Sequence, residues 1–521
     1  MDNVNYARHF IFLMRYLFLI CTLFTGFYVH GQSPKTDSLL FTRNGEHRLD
    51  FLFRATTLMS DSARSNIGTA SLFFDTEKRD YRTAQQAQHT NTVGMDARGI
   101  SYLGGKMVVS GIFSYHKVWQ DSLSYSLSGL EDNSLPTYYF VQKAGQFERQ
   151  TYRANAHIGH ELSQDWRVDA ALDYTHHWAT RSIDPRMDFY SMAWLFKPSL
   201  SYNLHIGKIS LQPVYGKGTA QTDISYKHDP YNSGDQYPEY YYVNNYGYGS
   251  IDAQDSIPLR QYDRYLGLQS EGAIRLDRYE LWWNIGYMLR NIESTHDSRH
   301  LDNYFVVQTF DLETFHMDFL LSQLGDNAGS LRLGLVHRSG VDGAYYNGQN
   351  YFLTQWEGSL SLSKTVQQAS TWPKEFGIDL KMAYDERDDA ASSHYAERVG
   401  LDIALPISIA KRWRSQRSVR WQVAPAIRIP LRNTLDIPVT QVNHFSTGIA
   451  YPEFYYYSVK SVNLQSRITF LTRSLWKNTP VGFFALGDFT KPFGFKGELY
   501  GNSLRYTGSN LRLRIGVNFY L

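Results

Sequence analysis

The sequence predicts an all-β chain, a closed antiparallel transmembrane β-barrel of about 16–18 strands with short periplasmic turns and long extracellular loops. Three observations predict it. Apolar and polar residues alternate with a period of two through segment after segment. Most of these segments reach the roughly 9–11 residues that a tilted strand needs to cross a bilayer, whereas strands of soluble proteins are mostly about 5–6 residues long. A basic and then apolar leader precedes them.

The composition agrees. Aromatic residues make up 15% of the 521 residues, with 39 Tyr and 30 Phe, while 38 Gly and 16 Pro punctuate the chain. Many strands joined by turns have this profile. Mean hydropathy is −0.41, and no apolar run of helical span follows the leader, so a helical membrane protein is excluded. A barrel is not, because only alternate residues of its strands face lipid.

Residues 1–31 read as a signal peptide. Arg8 and Arg15 form the basic part, 16–24 the short apolar part, and Val29-His30-Gly31 a small-residue processing site before Gln32. The single cysteine, Cys21, lies inside this leader, and Ile20 before it makes it a poor lipoprotein acceptor. The processed chain is therefore expected to have neither disulfide nor thiol chemistry. Net formal charge is +2 and changes little when Asp2, Arg8 and Arg15 are removed, which argues against nucleic-acid binding.

Residues 32–66 fit poorly as wall. The stretch 32–46 is a polar leader, and 47–54 reads as a short helix or strand, inserted in the lumen or left in the periplasm. From 67 to 521 the pattern is barrel. The expected strands are 67–81, 91–103, 106–120, 147–162, 166–181, 189–205, 208–225, 261–276 and 278–294. They continue at 304–322, 329–341, 351–364, 374–388, 394–411, 417–431, 456–473, 480–491 and 506–521. That makes eighteen, or sixteen if the first two are not wall. An even number returns both ends to the periplasm. Joins after the second, fourth, sixth and eighth strands are tight, at 104–105, 163–165, 206–207 and Asp277. Joins at 121–146, 226–260 and 432–455 are long, which matches outer-membrane topology.

The last strand has the clearest pattern. Leu511, Leu513, Ile515, Val517, Phe519 and Leu521 lie on one face, with Arg512, Arg514, Gly516, Asn518 and Tyr520 on the other. The run Arg514-Ile515-Gly516-Val517-Asn518-Phe519-Tyr520-Leu521 resembles the terminal signal read by the outer-membrane barrel assembly machinery, with Gly516, Phe519 and Leu521 at its key positions. Leu521 stands where an aromatic is usual. With Gln32 directly after the processing site, the whole chain resembles uncharacterised outer-membrane β-barrel proteins of Bacteroidota-type bacteria. It is too short for a TonB-dependent transporter, which needs a plug domain ahead of a larger barrel.

The interior face carries both signs of charge. Asp379, Lys381, Arg398, Asp402, Arg420, Arg428, Arg512 and Arg514 are expected to face the lumen. Such a face suits a pore or solute channel, since rings of charge set selectivity. It equally suits ion pairs bracing the wall or holding an inserted loop. The loop 226–260 is rich in tyrosine, including Tyr240, Tyr241, Tyr242, Tyr246 and Tyr248. Tyrosine gives rigid contact area with a hydrogen-bonding tip. This loop either contacts a ligand or partner, or folds over the barrel mouth against Tyr455, Tyr456 and Tyr457. The alternative to a pore is thus a non-conducting barrel partnering a TonB-dependent transporter or a surface lipoprotein.

No cofactor or metal is expected. His296, Asp297, His300 and Asp302 share a loop without the helix that a His-x-x-x-His metal pair requires. The run 385–389 reads as a solvated turn. No nucleophile elbow, phosphate loop or paired catalytic carboxylates can be placed, so an enzyme is not expected. Expected partners are outer-membrane lipids, the assembly machinery and, in the alternative reading, a transporter or lipoprotein.

Overall fold

A computed structural model of the chain describes residues 42–55, 57–58, 66–103, 106–131, 134–252, 259–296, 305–324, 329–344, 348–366, 375–413, 417–476, 479–493 and 508–520. The leader 1–31, Leu521 and residues 297–302 of the His/Asp loop lie outside the described residues.

The wall strands are β1 (Ile67–Arg79), β2 (His89–Leu103), β3 (Met107–Leu123), β4 (Gly145–Glu161), β5 (Trp166–Arg181) and β6 (Arg186–Leu204). Next come β7 (Gly207–Ser225), β8 (Leu259–Leu276), β9 (Tyr279–His296), β10 (Phe305–Gln323), β11 (Gly329–Ala344) and β12 (Tyr351–Thr365). β13 (Glu375–Asp389), β14 (His394–Ala404 and Ile407–Trp413), β15 (Arg417–Asp436), β16 (Lys460–Trp476), β17 (Thr479–Phe493) and β18 (Asn510–Tyr520) complete it. Each strand pairs antiparallel with its chain neighbours. β18 returns to β1, from Thr69 opposite Tyr520 to Arg79 opposite Asn510, and closes an eighteen-strand barrel.

Two interruptions have a proline cause. The strand expected at 394–411 is not continuous: β14 breaks at Leu405-Pro406, because Pro406 has no N–H to give to the ladder. In the β6–β7 ladder the pairing passes from Phe196–Tyr215 to Leu200–Leu211, skipping the level of Pro198 and Pro213.

Alternation sets the two faces of the wall. Leu511, Leu513 and Ile515 are 59%, 48% and 49% exposed on the outside. Leu72, Leu266, Leu268, Leu464 and Ile468 stand out likewise. Trp166, Tyr202, Tyr279 and Trp413 are exposed at the short-turn end, where an aromatic girdle belongs. Short turns lie at the end that holds the start of β1 and the end of β18, which is therefore the periplasmic end. A closed antiparallel wall satisfies its backbone internally, and its band of outward apolar side chains faces lipid. This is an outer-membrane β-barrel.

Candidate functional site

The interior is filled at both ends. At the periplasmic end lies helix α1 (Arg43–Arg54), starting four residues before the expected 47. Thr42 caps it, its hydroxyl accepting from the Gly45 N–H at 3.1 Å. Leu49 and Phe53 pack on the inward side chains Ile67, Ile100 and Val108. Phe51 and Leu52 pack on Trp282 and Leu320.

Its polar residues pair with the inner wall. Arg43 meets Asp379 at 2.5 Å, Arg48 meets Glu280 at 2.6 Å, and Glu46 meets Arg420 at 2.7 Å. Just beyond the helix, Thr57 is held through backbone and side chain. Its N–H and hydroxyl donate to Glu271 at 3.0 and 2.6 Å, and its carbonyl accepts from Lys208 Nζ at 2.5 Å. Burial, with the Arg43 and Arg332 guanidiniums nearby, lowers the His47 pKa from 6.5 to about 4.

At the extracellular end three long loops form a cap, those between β3 and β4, β7 and β8, and β15 and β16. A three-stranded sheet joins Thr137–Val141, Tyr242–Tyr246 and Ile251–Asp252. It packs with Phe445, Ile449 and Ala450, which lead into helix α2 (Tyr451–Ser458), and with the inward wall residues Phe310, Leu312 and Leu353. Arg398 fastens this cap to the wall. Its Nη2 donates to the Tyr248 hydroxyl at 3.0 Å and to Glu453 at 2.7 Å, and its guanidinium lies 4.5 Å from the centroid of the Tyr457 ring.

Between α1 and the cap lies a chamber of about 1110 Å³. Among its lining residues are Lys197, Asp318, Lys381, Asp402 and Arg428, together with neutral hydrogen-bonding groups such as Gln269 and Ser359. Most of the charges pair locally: Lys197 with Asp173 at 2.6 Å, Arg332 with Asp318 at 2.5 Å, and Arg428 with Asp402 at 3.0 Å.

A family model described as a family of unknown function, DUF6850, matches residues 55–521. The chain belongs to the DUF6850 family. Comparison with curated proteins gives no match. Among solved structures, the outer membrane transporter YddB from Escherichia coli is similar over 87% of this chain and 81% of its own, at 9% identity and TM-score 0.40. The siderophore receptor PiuA from Acinetobacter baumannii is similar over 88% and 82%, at 8% identity and TM-score 0.41. The ferric-catecholate import receptor Fiu from E. coli K12 gives 88% and 82%, at 9% and 0.39. These are likenesses of fold alone.

In this DUF6850 barrel the inward-facing charges have separate tasks. Asp379 and Arg420 hold α1, and Arg398 holds the cap. Arg512 and Arg514 both bind Asp75 across the closing seam. Lys381, Asp402 and Arg428 face the chamber. Gly516 is inward, and a Cβ there would lie 2.5 Å from the Leu72 carbonyl and 2.6 Å from the Phe484 ring, so the close packing admits no side chain. Phe519 lies in β18 opposite Val481 and Ala70.

The tyrosine loop divides. Tyr242 and Tyr248 are buried in the cap, and the half-buried Tyr246 belongs to its sheet. Phe445 is the ring that Tyr248 meets in the β15–β16 loop, at 5.1 Å, while Tyr456 instead stacks on Tyr81 at 4.4 Å. Tyr240 stays with the outer part, stacked on Tyr231 at 4.0 Å, and Tyr241 stands beside Gly234.

The run 385–389 is the end of β13 rather than a solvated turn. Strand alternation turns Asp385, Arg387 and Asp389 inward. Asp389 is fully buried and accepts from the N–H groups of Tyr248 and Ser250 at 2.6 and 3.0 Å.

One constellation escaped the sequence reading. His157 Nδ1 lies 3.3 Å from Ser110 Oγ, and its Nε2 lies 3.0 Å from Asp169, which Arg167 meets at 2.5 Å. The four residues come from three strands and are buried together, and none lines the chamber. The i, i+2 spacing puts Arg167 and Asp169 on one strand face, but only the register of β3, β4 and β5 brings Ser110 and His157 to them.

Proposed function

We propose that this DUF6850 protein is a gated outer-membrane solute channel, a barrel whose chamber communicates with one side at a time as α1 or the cap yields. One observation carries this reading: a charged chamber of about 1110 Å³ lies between two closures that the wall holds by side-chain pairs. Its size reaches the upper end of ordinary ligand pockets, about 300–1,000 Å³. A barrel needing only rigidity gains nothing from such a space.

Planar-bilayer conductance tests it with four proteins: the full chain, a variant lacking 42–58, a variant with 226–258 replaced by a short turn, and the double variant. The full chain should be nearly silent and the double variant should conduct steadily. A double variant that keeps its heat-dependent gel shift, the sign of a folded barrel, yet carries no current would overturn the channel reading.

A second reading has its own observation. His228, Tyr231, Tyr237 and Tyr240 form a cluster of contacting rings on the outer part of the loop, next to the cap sheet. This suits docking to a transporter or surface lipoprotein. Recovery of such a partner that is unchanged on deleting 226–241 would count against it. Insertion among outer-membrane lipids by the assembly machinery, through the Gly516 and Phe519 strand, belongs to both readings.

A further inference from the structure

We infer that the chamber holds the anionic group of its solute, a carboxylate or a phosphate, between Lys381 and Arg428. This rests on the channel reading for its purpose but not for its test.

The wall register builds the site. Gly334, Ser359, Lys381, Asp402, Arg428 and Ser461 stand directly opposite one another on six successive strands, β11 to β16. Strand alternation turns this row inward, since Asp379, two residues from Lys381, reaches the helix in the lumen. The row therefore reads neutral, hydroxyl, cation, anion, cation, hydroxyl. Directly opposed side chains have Cβ atoms about 4.5–5.5 Å apart, so Asp402 has a cation on each side and can satisfy only one closely. It takes Arg428, at 3.0 Å through Nε.

Lys381 is left over. Among the described Arg and Lys residues lining the chamber, each has a carboxylate partner except Lys381. Lys381 is also exposed, although it faces inward. Its surroundings leave room. Two residues further along the strands the inward positions are Ala383, Gly400 and Pro430, and a Cβ built on Gly400 would meet nothing within 4 Å. In the other direction they are Ala404 and Ala426, with Asp379 already engaged by Arg43. Long charged side chains thus stand above a floor of small ones.

An unpaired ammonium in a confined space gathers anions, and the second cation and the Ser359 hydroxyl supply further donors. Asp402 acts in the opposite sense. It lowers the net charge of the row and keeps a bound anion exchangeable rather than trapped, as conduction requires.

The full-length protein in detergent can be tested with two aldehydes that form an imine with a lysine amine, fixed by borohydride and located by peptide mapping. Pyridoxal phosphate carries the anionic group and pyridoxal does not. Lys227, exposed on the outer loop, is the internal reference. Relative to Lys227, Lys381 should react about tenfold or more faster with pyridoxal phosphate than with pyridoxal, and inorganic phosphate should protect it. Arg428→Gln frees Asp402 to pair with Lys381 and should reduce the preference toward one. Asp402→Asn should raise it.

Equal reaction with both reagents in the full-length protein would overturn the proposal, and where the closed chamber admits neither reagent, equal reaction or no reaction of Lys381 in the double variant lacking both closures would overturn it. Preference for the phosphate reagent in a barrel that never conducts keeps the site and removes the channel reading. Conductance without the preference does the reverse.

Discussion

Asp75 in the first strand accepts from Arg512 in the last, at 3.0 Å to Nε and 2.5 Å to Nη2. Arg514 Nε donates to the same carboxylate at 2.7 Å, so one buried group staples the seam at which the barrel closes. Hydrogen bonds to charged groups contribute about 1.5–3 kcal/mol. The two arginine side chains are 38% and 32% exposed, so solvent replaces part of the loss. Asp75→Ala should lower barrel stability by about 1–2 kcal/mol, read as a lower temperature for the heat-dependent gel shift. A wild-type transition would show that the ladder alone holds the seam.

The outer face of the same strand makes a separate prediction. Ile515 is about half exposed and points to lipid. Ile515→Arg should cost roughly 2–4 kcal/mol if the site is near the bilayer midplane. Urea titration in lipid vesicles would measure it. Asn518→Arg, on the inward face, should cost much less.

The extracellular cap depends on Asp389. It accepts from Tyr248 N–H, Ser250 N–H and the Ser250 hydroxyl, the last at 2.7 Å. Asp389→Ala leaves these donors unpaired in a buried place, at about 1–3 kcal/mol. Limited proteolysis within 226–258 should become faster while the wall stays intact. Equal cleavage rates would mean that the apolar cluster around Phe445 and Phe310 holds the cap unaided.

Docking of α1 should depend on pH. Because the docked His47 has its pKa lowered to about 4, the docked helix binds this proton less readily than the released one. Above about 6.5 both forms are neutral at His47 and docking is at full strength. As pH falls from 6.5 toward 4 the released form gains the proton first, so docking weakens. Hydrogen exchange of residues 43–54, corrected for intrinsic rates, should rise between pH 7 and pH 5, and His47→Gln should flatten that rise. An unchanged slope in the mutant would assign the effect to another group.

Much of the wall was legible in the sequence because its signals are local. Alternation, strand length and turn spacing are properties of neighbouring residues, and they indicate an even number of about 16–18 strands, the lipid face of Leu511, Leu513 and Ile515, and an inward face carrying Arg512 and Arg514. The proline break in β14 was legible in principle, since Pro406 cannot serve the ladder whatever surrounds it. The run 385–389 misled for a related reason: five consecutive charged residues resemble a solvated turn until alternation is carried through them, which sends Asp389 inward.

What the inward charges do was decided only in three dimensions. Arg398, Arg420 and Arg428 are alike in sequence, each an inward arginine on a strand. One binds the cap, one binds α1 and Glu375, and one binds its neighbour Asp402. Charge on an inward face states that a partner or water must be there, but not which, because partners are chosen by register around the barrel and by segments distant in the chain. The same holds for Ser110, His157 and Asp169, and for the closing of both mouths. The sequence by itself determined a membrane wall with a polar interior. The tertiary structure decided that this interior is a chamber, closed by a helix from before the wall and by loops from within it, with Lys381 left unpaired inside.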